Sequence, residues 1–183
     1  NIVLSRSSTE YGQPSEQHLP VDDTAATQTP LSPYGNTKQI NEDIIRDEAL
    51  ANHALQATIL RYFNPIGAHP SALIGELPNG VPQNLLPFVT QTAAGLRQEL
   101  KVFGNDYSTP DGSCIRDYIY VVDLAKAHVK AVERMLNGHA TEQVEVFNLG
   151  TGKGLSVLEI LNTFMQVTGV DVPYQIVGRR EGD

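Results

Sequence analysis

The chain has 183 residues, 40% of them apolar and 19% charged, with a formal net charge of −8. That length supports a core of ordinary size, and the composition is that of a globular rather than a disordered polypeptide. The acidic balance argues against a nucleic-acid or anionic-membrane surface, no apolar run is long enough to cross a bilayer, and nothing resembles a secretory signal.

Ile2-Val3-Leu4 reads as a buried strand, followed by a small polar turn, Ser5 to Thr9. Residues 11–31 are rich in Pro, Gln, Asp and Thr and read as a long loop. Pro33 suits the first position of a helix, where its missing N–H costs nothing. Ile40, Ile44 and Ile45 then recur at helical spacing, which predicts a helix to about His53. Gln56 to Phe63 has the pattern of a second buried strand. Strand, loop, helix, strand is the repeating unit of a parallel α/β sheet.

The segment from Asn64 to Gln83, broken by prolines and glycines, reads as irregular. Leu85, Leu86, Val89, Ala93 and Leu96 form one helical stripe, Lys101 to Phe103 a short strand, and residues 104–113 a polar turn. From Val122, the residues Leu124, His128, Ala131, Val132 and Met135 predict an amphipathic helix closed by Gly138. Val144 to Leu149 reads as a strand. After a glycine-rich turn over residues 150–154, Ser156 and Glu159 form a capping box for a helix ending at Gly169. Tyr174 to Val177 is a last strand.

The stretch Pro30 to Lys38, PLSPYGNTK, carries the chemistry. Tyr34 and Lys38 stand at i and i+4 on one helix face. A free tyrosine, with a pKa near ~10, is a poor base at neutral pH, but an ammonium beside it favours the phenolate and fits the pair for general acid/base work. Two unrelated residues on a solvated first turn give the same spacing. Ser7, placed after the first strand, falls at the carboxyl end of a parallel strand, the edge where open α/β sheets bind ligands. A serine that merely satisfies its own turn would look the same. Cys114, the sole cysteine, excludes an internal disulfide, fits a reducing cytosol and reads as a packed thiol. His69 and His128 have no carboxylate or second histidine at ligand spacing, so no metal site is expected. The turn over residues 150–154 lacks the ending of a P-loop and reads as a strand-to-helix connection.

Ser7, Tyr34 and Lys38 together resemble the Ser-Tyr-Lys triad of the extended short-chain dehydrogenase/reductase family. Further runs resemble its UDP-sugar 4-epimerases: Arg61 to Pro70, Pro82 to Leu85, Val102 to Tyr107, Asp111-Gly112, Arg116 to Ile119, Asn148 to Gly152 and Arg179 to Asp183. The resemblance implies an α/β fold: part of a Rossmann-like doubly wound parallel sheet over residues 1–63, and a mainly UDP-sugar-binding domain over 64–183, interleaved with returning Rossmann elements at about 115–150. It implies a bound NAD that borrows and returns a hydride, with interconversion of UDP-glucose and UDP-galactose through a 4-keto sugar.

In that scheme Tyr34 exchanges the proton of the sugar 4-hydroxyl, Lys38 lowers its pKa and holds the nicotinamide ribose, and Ser7 relays the proton. Tyr62 and Phe63 line the nicotinamide end. Asn64, Asn84, Leu85, Lys101, Val102, Phe103, Arg116, Arg180 and Asp183 hold the UDP-sugar. Read without the resemblance, Phe103 is either core or a flat platform, and Arg116 is either a diphosphate fork or half of a surface ion pair with Asp117. A homodimer through a bundle containing the Tyr34 helix and a cytoplasmic location are also implied.

Several features depart from the family pattern. Arg6 stands where a small serine is usual and Glu10 where an apolar residue is, so a pair between them is expected; Gln83 and Tyr120 are exchanges without catalytic consequence. The chain opens on Asn1 inside an apolar run and stops at Asp183. Both ends read as cut from a longer protein, and without the glycine-rich first turn the chain alone is not expected to bind NAD tightly or turn over. A sugar-nucleotide 4,6-dehydratase shares the fold but needs an Asp-Glu pair after the serine turn, where Thr9-Glu10 has one carboxylate. The same residues are also compatible with 4-epimerisation of N-acetylated or pentose UDP-sugars, and with a non-catalytic binding remnant.

Overall fold

The computed structural model describes residues 1–7, 11, 21–23, 25 and 33–180. Within it the chain forms two compact units, one of residues 1–65 and 119–153, the other of residues 66–118 and 154–183.

The first unit is built on three parallel strands, β1 (Ile2–Ser7), β2 (Ala57–Tyr62) and β6 (Val144–Leu149), in the order β1-β2-β6. Ala57 to Leu60 of β2 are all buried, the continuous burial expected of a central parallel strand. Strand β1 runs on past Leu4 to Ser7, because β2 offers a ladder out to Tyr62: Arg6 lies beside Arg61 and Ser7 beside Tyr62. A strand with a paired neighbour tolerates the polar Ser-Arg-Ser that reads as a turn in isolation.

Helices α1 (Pro33–Ala51) and α3 (Val121–Leu136) pack on β1 and β2. On α3 the buried residues are Ala131 and Met135, and Gly138 follows at φ +67°, as the amphipathic stripe predicts. Helix α1 differs from expectation. Its buried residues are Gly35, Glu42 and Ala49, whereas Ile40 and Ile44 are 47% and 58% exposed. The helix therefore sits on the sheet by a small-residue face with one carboxylate in it, while Ile40 and Ile44 face outward and Ile45 is half-buried.

In the second unit, β4 (Leu100–Phe103) pairs in parallel with β8 (Tyr174–Val177), and Val89, Leu100, Val102, Leu161 and Val172 form the core. Helix α2 (Leu85–Ala93) supplies Val89 and α4 (Val157–Thr168) supplies Leu161. The capping box of α4 is realised: the Ser156 hydroxyl accepts from the Glu159 N–H at 3.0 Å, and the Ser156 N–H donates to the Glu159 carboxylate at 2.7 Å. Gly169 closes α4 at φ +70°. Leu96 is outside α2 and 73% exposed, since Gly95 at φ +74° has already turned the chain. Three strands have no clear sequence signature: the three-residue β3 (Asn64–Ile66) and β7 (Gly154–Ser156), and the six-residue β5 (Ile115–Tyr120), to which β7 is antiparallel.

Candidate active site

In the first unit the site forms at the carboxyl ends of the strands. Ser7 and Tyr62 end β1 and β2 in register, and the Phe63 N–H donates to the Leu149 carbonyl at 3.1 Å. Helix α1 runs against the strand direction. Near its end, the Ala49 and Asn52 carbonyls accept from Gln143, which lies at the start of β6, while Glu42 meets residues close to the far ends of β1 and β2. The two turns before Glu42 therefore rise about 12 Å along the axis toward and past the strand ends.

Those two turns carry Tyr34 and Lys38. The Lys38 ammonium stands 5.3 Å from the centroid of the Tyr34 ring, which is 57% exposed. The arrangement is that of a cation at an aromatic face, one helical turn apart. Tyr62 and Phe63 are half-buried where β2 ends, and Asn64, on β3, is exposed.

Beneath Tyr34 and Lys38 is a polar cluster that the sequence did not disclose. The Glu42 carboxylate accepts from Arg61 (Nε at 3.3 Å, an Nη at 2.7 Å), from Arg46 (2.8 Å and 3.2 Å) and from Arg6. Arg61 also donates to the Tyr11 hydroxyl at 2.7 Å, and that hydroxyl donates to the Asn148 side-chain oxygen at 2.7 Å. Burial and the neighbouring Arg61 bring the Arg6 guanidinium down to about 10, which leaves it a cation at neutral pH. Glu10, the expected partner of Arg6, lies outside the described residues. The missed signal was positional: Glu42 is four residues after Lys38, and Arg6 and Arg61 immediately precede Ser7 and Tyr62.

In the second unit, Phe103 ends β4 half-buried, opposite Val177 of β8. The chain after β8 brings the Arg180 guanidinium 5.4 Å from the Phe103 ring centroid. Arg179 stacks 4.0 Å from the Tyr107 ring and donates to the Asp106 carboxylate and carbonyl, both at 2.7 Å. The turn after β4 is thus tied to the end of β8. Arg116 on β5 donates to the Cys114 sulfur at 2.6 Å and to the Ile115 carbonyl at 2.9 Å.

Asn84 precedes α2 and donates to Glu76 at 2.8 Å; Leu85 packs against the core. Lys101 is exposed, but Val102, expected to touch the UDP-sugar, has its side chain in the core, because side chains alternate along a strand. Any such contact falls to its main chain. Asp183 lies outside the described residues. Among the described residues, no group of three metal-ligating side chains occurs.

The first unit sets a Tyr/Lys helix against the strand ends of a parallel sheet, and residues 1–150 match the NAD dependent epimerase/dehydratase family. The chain belongs to that family. It is 50% identical to the UDP-glucose 4-epimerase of Bacillus subtilis, over all of this chain and 52% of that protein. The UDP-glucose 4-epimerase of Stenotrophomonas maltophila, crystallised with NAD and formylated UDP-arabinopyranose, superposes with a TM-score of 0.92 at 49% identity, covering 100% of this chain and 53% of that one. The enzyme of Bifidobacterium longum, in complex with NAD+ and UDP, gives 0.90 at 46% identity, with 99% and 52% covered. The chain spans about half the length of these relatives.

Proposed function

We propose that the protein carrying this chain interconverts UDP-glucose and UDP-galactose. The observation that carries the reading is the Tyr34–Lys38 pair on the exposed start of α1, beside the carboxyl ends of a parallel sheet. The nicotinamide end of NAD fits there: Lys38 offers a donor to a ribose hydroxyl, and Tyr62 and Phe63 offer half-buried aromatic faces. When bound, NAD supplies a hydride acceptor that returns what it takes.

Tyr34, with its proton shared with Ser7, removes the proton of the sugar 4-hydroxyl as the C4 hydride leaves, giving a 4-keto sugar. NAD bound there would supply the hydride for the return step on the opposite face of the ketone, and Tyr34 would give the proton back, so that no net oxidation results. Lys38 sets a positive charge at the Tyr34 ring and holds the ribose. Phe103 stacks on the uracil ring, Arg116 and Arg180 bind the diphosphate as planar forks, and Asn64, Asn84, Leu85, Lys101, the Val102 main chain and Asp183 complete the contacts.

Residues 1–65 with 119–153 would serve the cofactor, and the second unit the nucleotide. A cytoplasmic location agrees with the lack, among the described residues, of a helix long and apolar enough to cross a membrane. The outward-facing Ile40 and Ile44 of α1 support a homodimer through that helix. The test is to incubate the full polypeptide with UDP-galactose and measure UDP-glucose. No product, with bound NAD verified by its release on denaturation, would defeat the assignment.

A further inference from the structure

Among the described residues of α1 the only buried side chain larger than alanine is that of Glu42, so the seat of the helix on the sheet is decided by where that carboxylate goes. It meets Arg6, one residue before the end of β1, and Arg61, one residue before the end of β2. We propose that Glu42 is a positioning residue, a carboxylate clamp that fixes the axial setting of α1 on β1 and β2 and so holds Tyr34 and Lys38 in place over the strand ends. The inference rests on the reading of Tyr34 and Lys38 as the acid/base pair.

Burying a carboxylate is costly unless several good hydrogen bonds meet it. Here two strands and the helix itself each send a guanidinium, and these charge-assisted bonds fill the oxygens' acceptor sites. Apolar ridges of small residues slide over one another with little resistance, whereas a planar fork on a carboxylate has one good geometry. The Arg61 fork is itself held. Its other nitrogen donates to Tyr11, Tyr11 donates to Asn148 on β6, and Asn148 donates to the Val21 carbonyl at 3.0 Å. The clamp thus engages all three strands of the sheet. Among the described residues, the charged groups that face Glu42 are Arg6, Arg61 and Arg46, with Asp43 and Asp23 lining the same cavity of about 290 Å³.

The test uses the NAD-loaded full polypeptide, with Glu42→Gln and Glu42→Asp compared with the parent. A misplacement of about 1 Å costs on the order of a hundredfold in rate, so Glu42→Gln is expected to lower kcat at least tenfold. KM for UDP-galactose is expected to stay within about twofold, since its contacts lie on other residues. Glu42→Asp, which keeps the charge, should recover part of kcat. The discriminating readout is the crystal structure of Glu42→Gln superposed on the parent through β1, β2 and β6, which reads the axial setting of α1 directly.

A shift of the Tyr34 and Lys38 main chain by about 1 Å or more along the helix axis supports the clamp. A smaller shift overturns it, as does kcat per folded molecule within twofold of the parent. If Glu42→Gln does not fold, Arg6→Lys decides, because it keeps the charge and loses the planar fork while Glu42 keeps Arg61 and Arg46. That variant should move α1 in the same way and lower kcat about threefold, and an unmoved helix overturns the clamp. Absence of epimerase activity in the parent would end the functional reading, while the superposition would still report on the clamp.

Discussion

Lys38 reaches back one turn along α1 to set its ammonium 5.3 Å from the centre of the Tyr34 ring. Helical spacing alone puts the two on one face, but their position relative to the sheet comes from elsewhere: from Pro33 opening the helix and from Glu42 seating it two turns later. The phenol is exposed at the start of the helix.

Tyr34→Phe therefore separates chemistry from stability. It keeps the ring and the helix and removes only the group that moves a proton, so kcat should fall about 10²- to 10⁴-fold. The melting temperature should stay within about 1 °C of the parent, because surface substitutions of this kind change stability by a few tenths of a kcal/mol. Conversion of UDP-galactose and a thermal melt, run on one preparation, check both. Equal turnover in the two proteins would remove Tyr34 from the mechanism.

Much of the architecture was legible because hydrophobic pattern and turn chemistry agree locally. Strands β6 and β8 begin and end where the pattern places them, and the capping box and Gly169 mark both ends of α4. Strand β1 extends beyond its apolar run, because pairing with β2, which local pattern does not contain, carries Ser5 to Ser7 into the ladder. Strands β5 and β7 carry no periodic signal, since a three-residue strand and Arg-Asp-Tyr lack clean alternation. The isoleucines of α1 misled about its docked face. Their spacing is helical, but the buried position belongs to Glu42, and no periodicity reveals that two arginines from distant strands will meet a carboxylate.

Two glycines with nearly the same backbone should respond differently to alanine. Gly112 (φ +77°) and Gly138 (φ +67°) both occupy the left-handed region. A Cβ on Gly138 meets open space, so Gly138→Ala costs about 1 kcal/mol, the ordinary left-handed penalty. On Gly112 the same atom overlaps the main-chain carbonyl of Asn105 and sits 2.8 Å from its carbon, and a main chain cannot rotate aside as a side chain does. Gly112→Ala should cost about 2–4 kcal/mol in urea unfolding. Equal losses would show that the turn over residues 105–112 gives way.

Arg180 and Phe103 should act on the nucleotide as a pair. With the guanidinium 5.4 Å from the ring centroid, each helps fix the other's orientation. Arg180→Lys keeps the charge and loses the planar fork, so affinity for UDP should fall about tenfold. Phe103→Leu keeps most of the volume and loses the flat face, with a loss of about 1 kcal/mol. The double variant, titrated with UDP by calorimetry, should lose less than the sum, since residues in contact couple. Strict additivity would mean that the two do not share a ligand.

Acid should loosen α3 from β6. Arg134, in the last turn of α3, donates to both oxygens of Glu145 on β6 at 2.8 Å, and Thr141 adds its N–H at 2.9 Å and its hydroxyl at 3.1 Å. The hydrogen bonds from Arg134, ahead of those from Thr141, hold the Glu145 carboxyl down to about 2 from an ordinary 4.5. Between those values the unfolded chain binds a proton that the folded one refuses. The stabilisation is therefore complete above about pH 4.5 and disappears as pH falls through about 2. Arg134 is 36% exposed, so solvent screening reduces the contribution to about 1–2 kcal/mol. Glu145→Gln should lose that amount at pH 7 and show a shallower acid slope in urea unfolding. If parent and variant run parallel from pH 5 to pH 2, the Glu145 carboxylate contributes nothing to the join between α3 and β6.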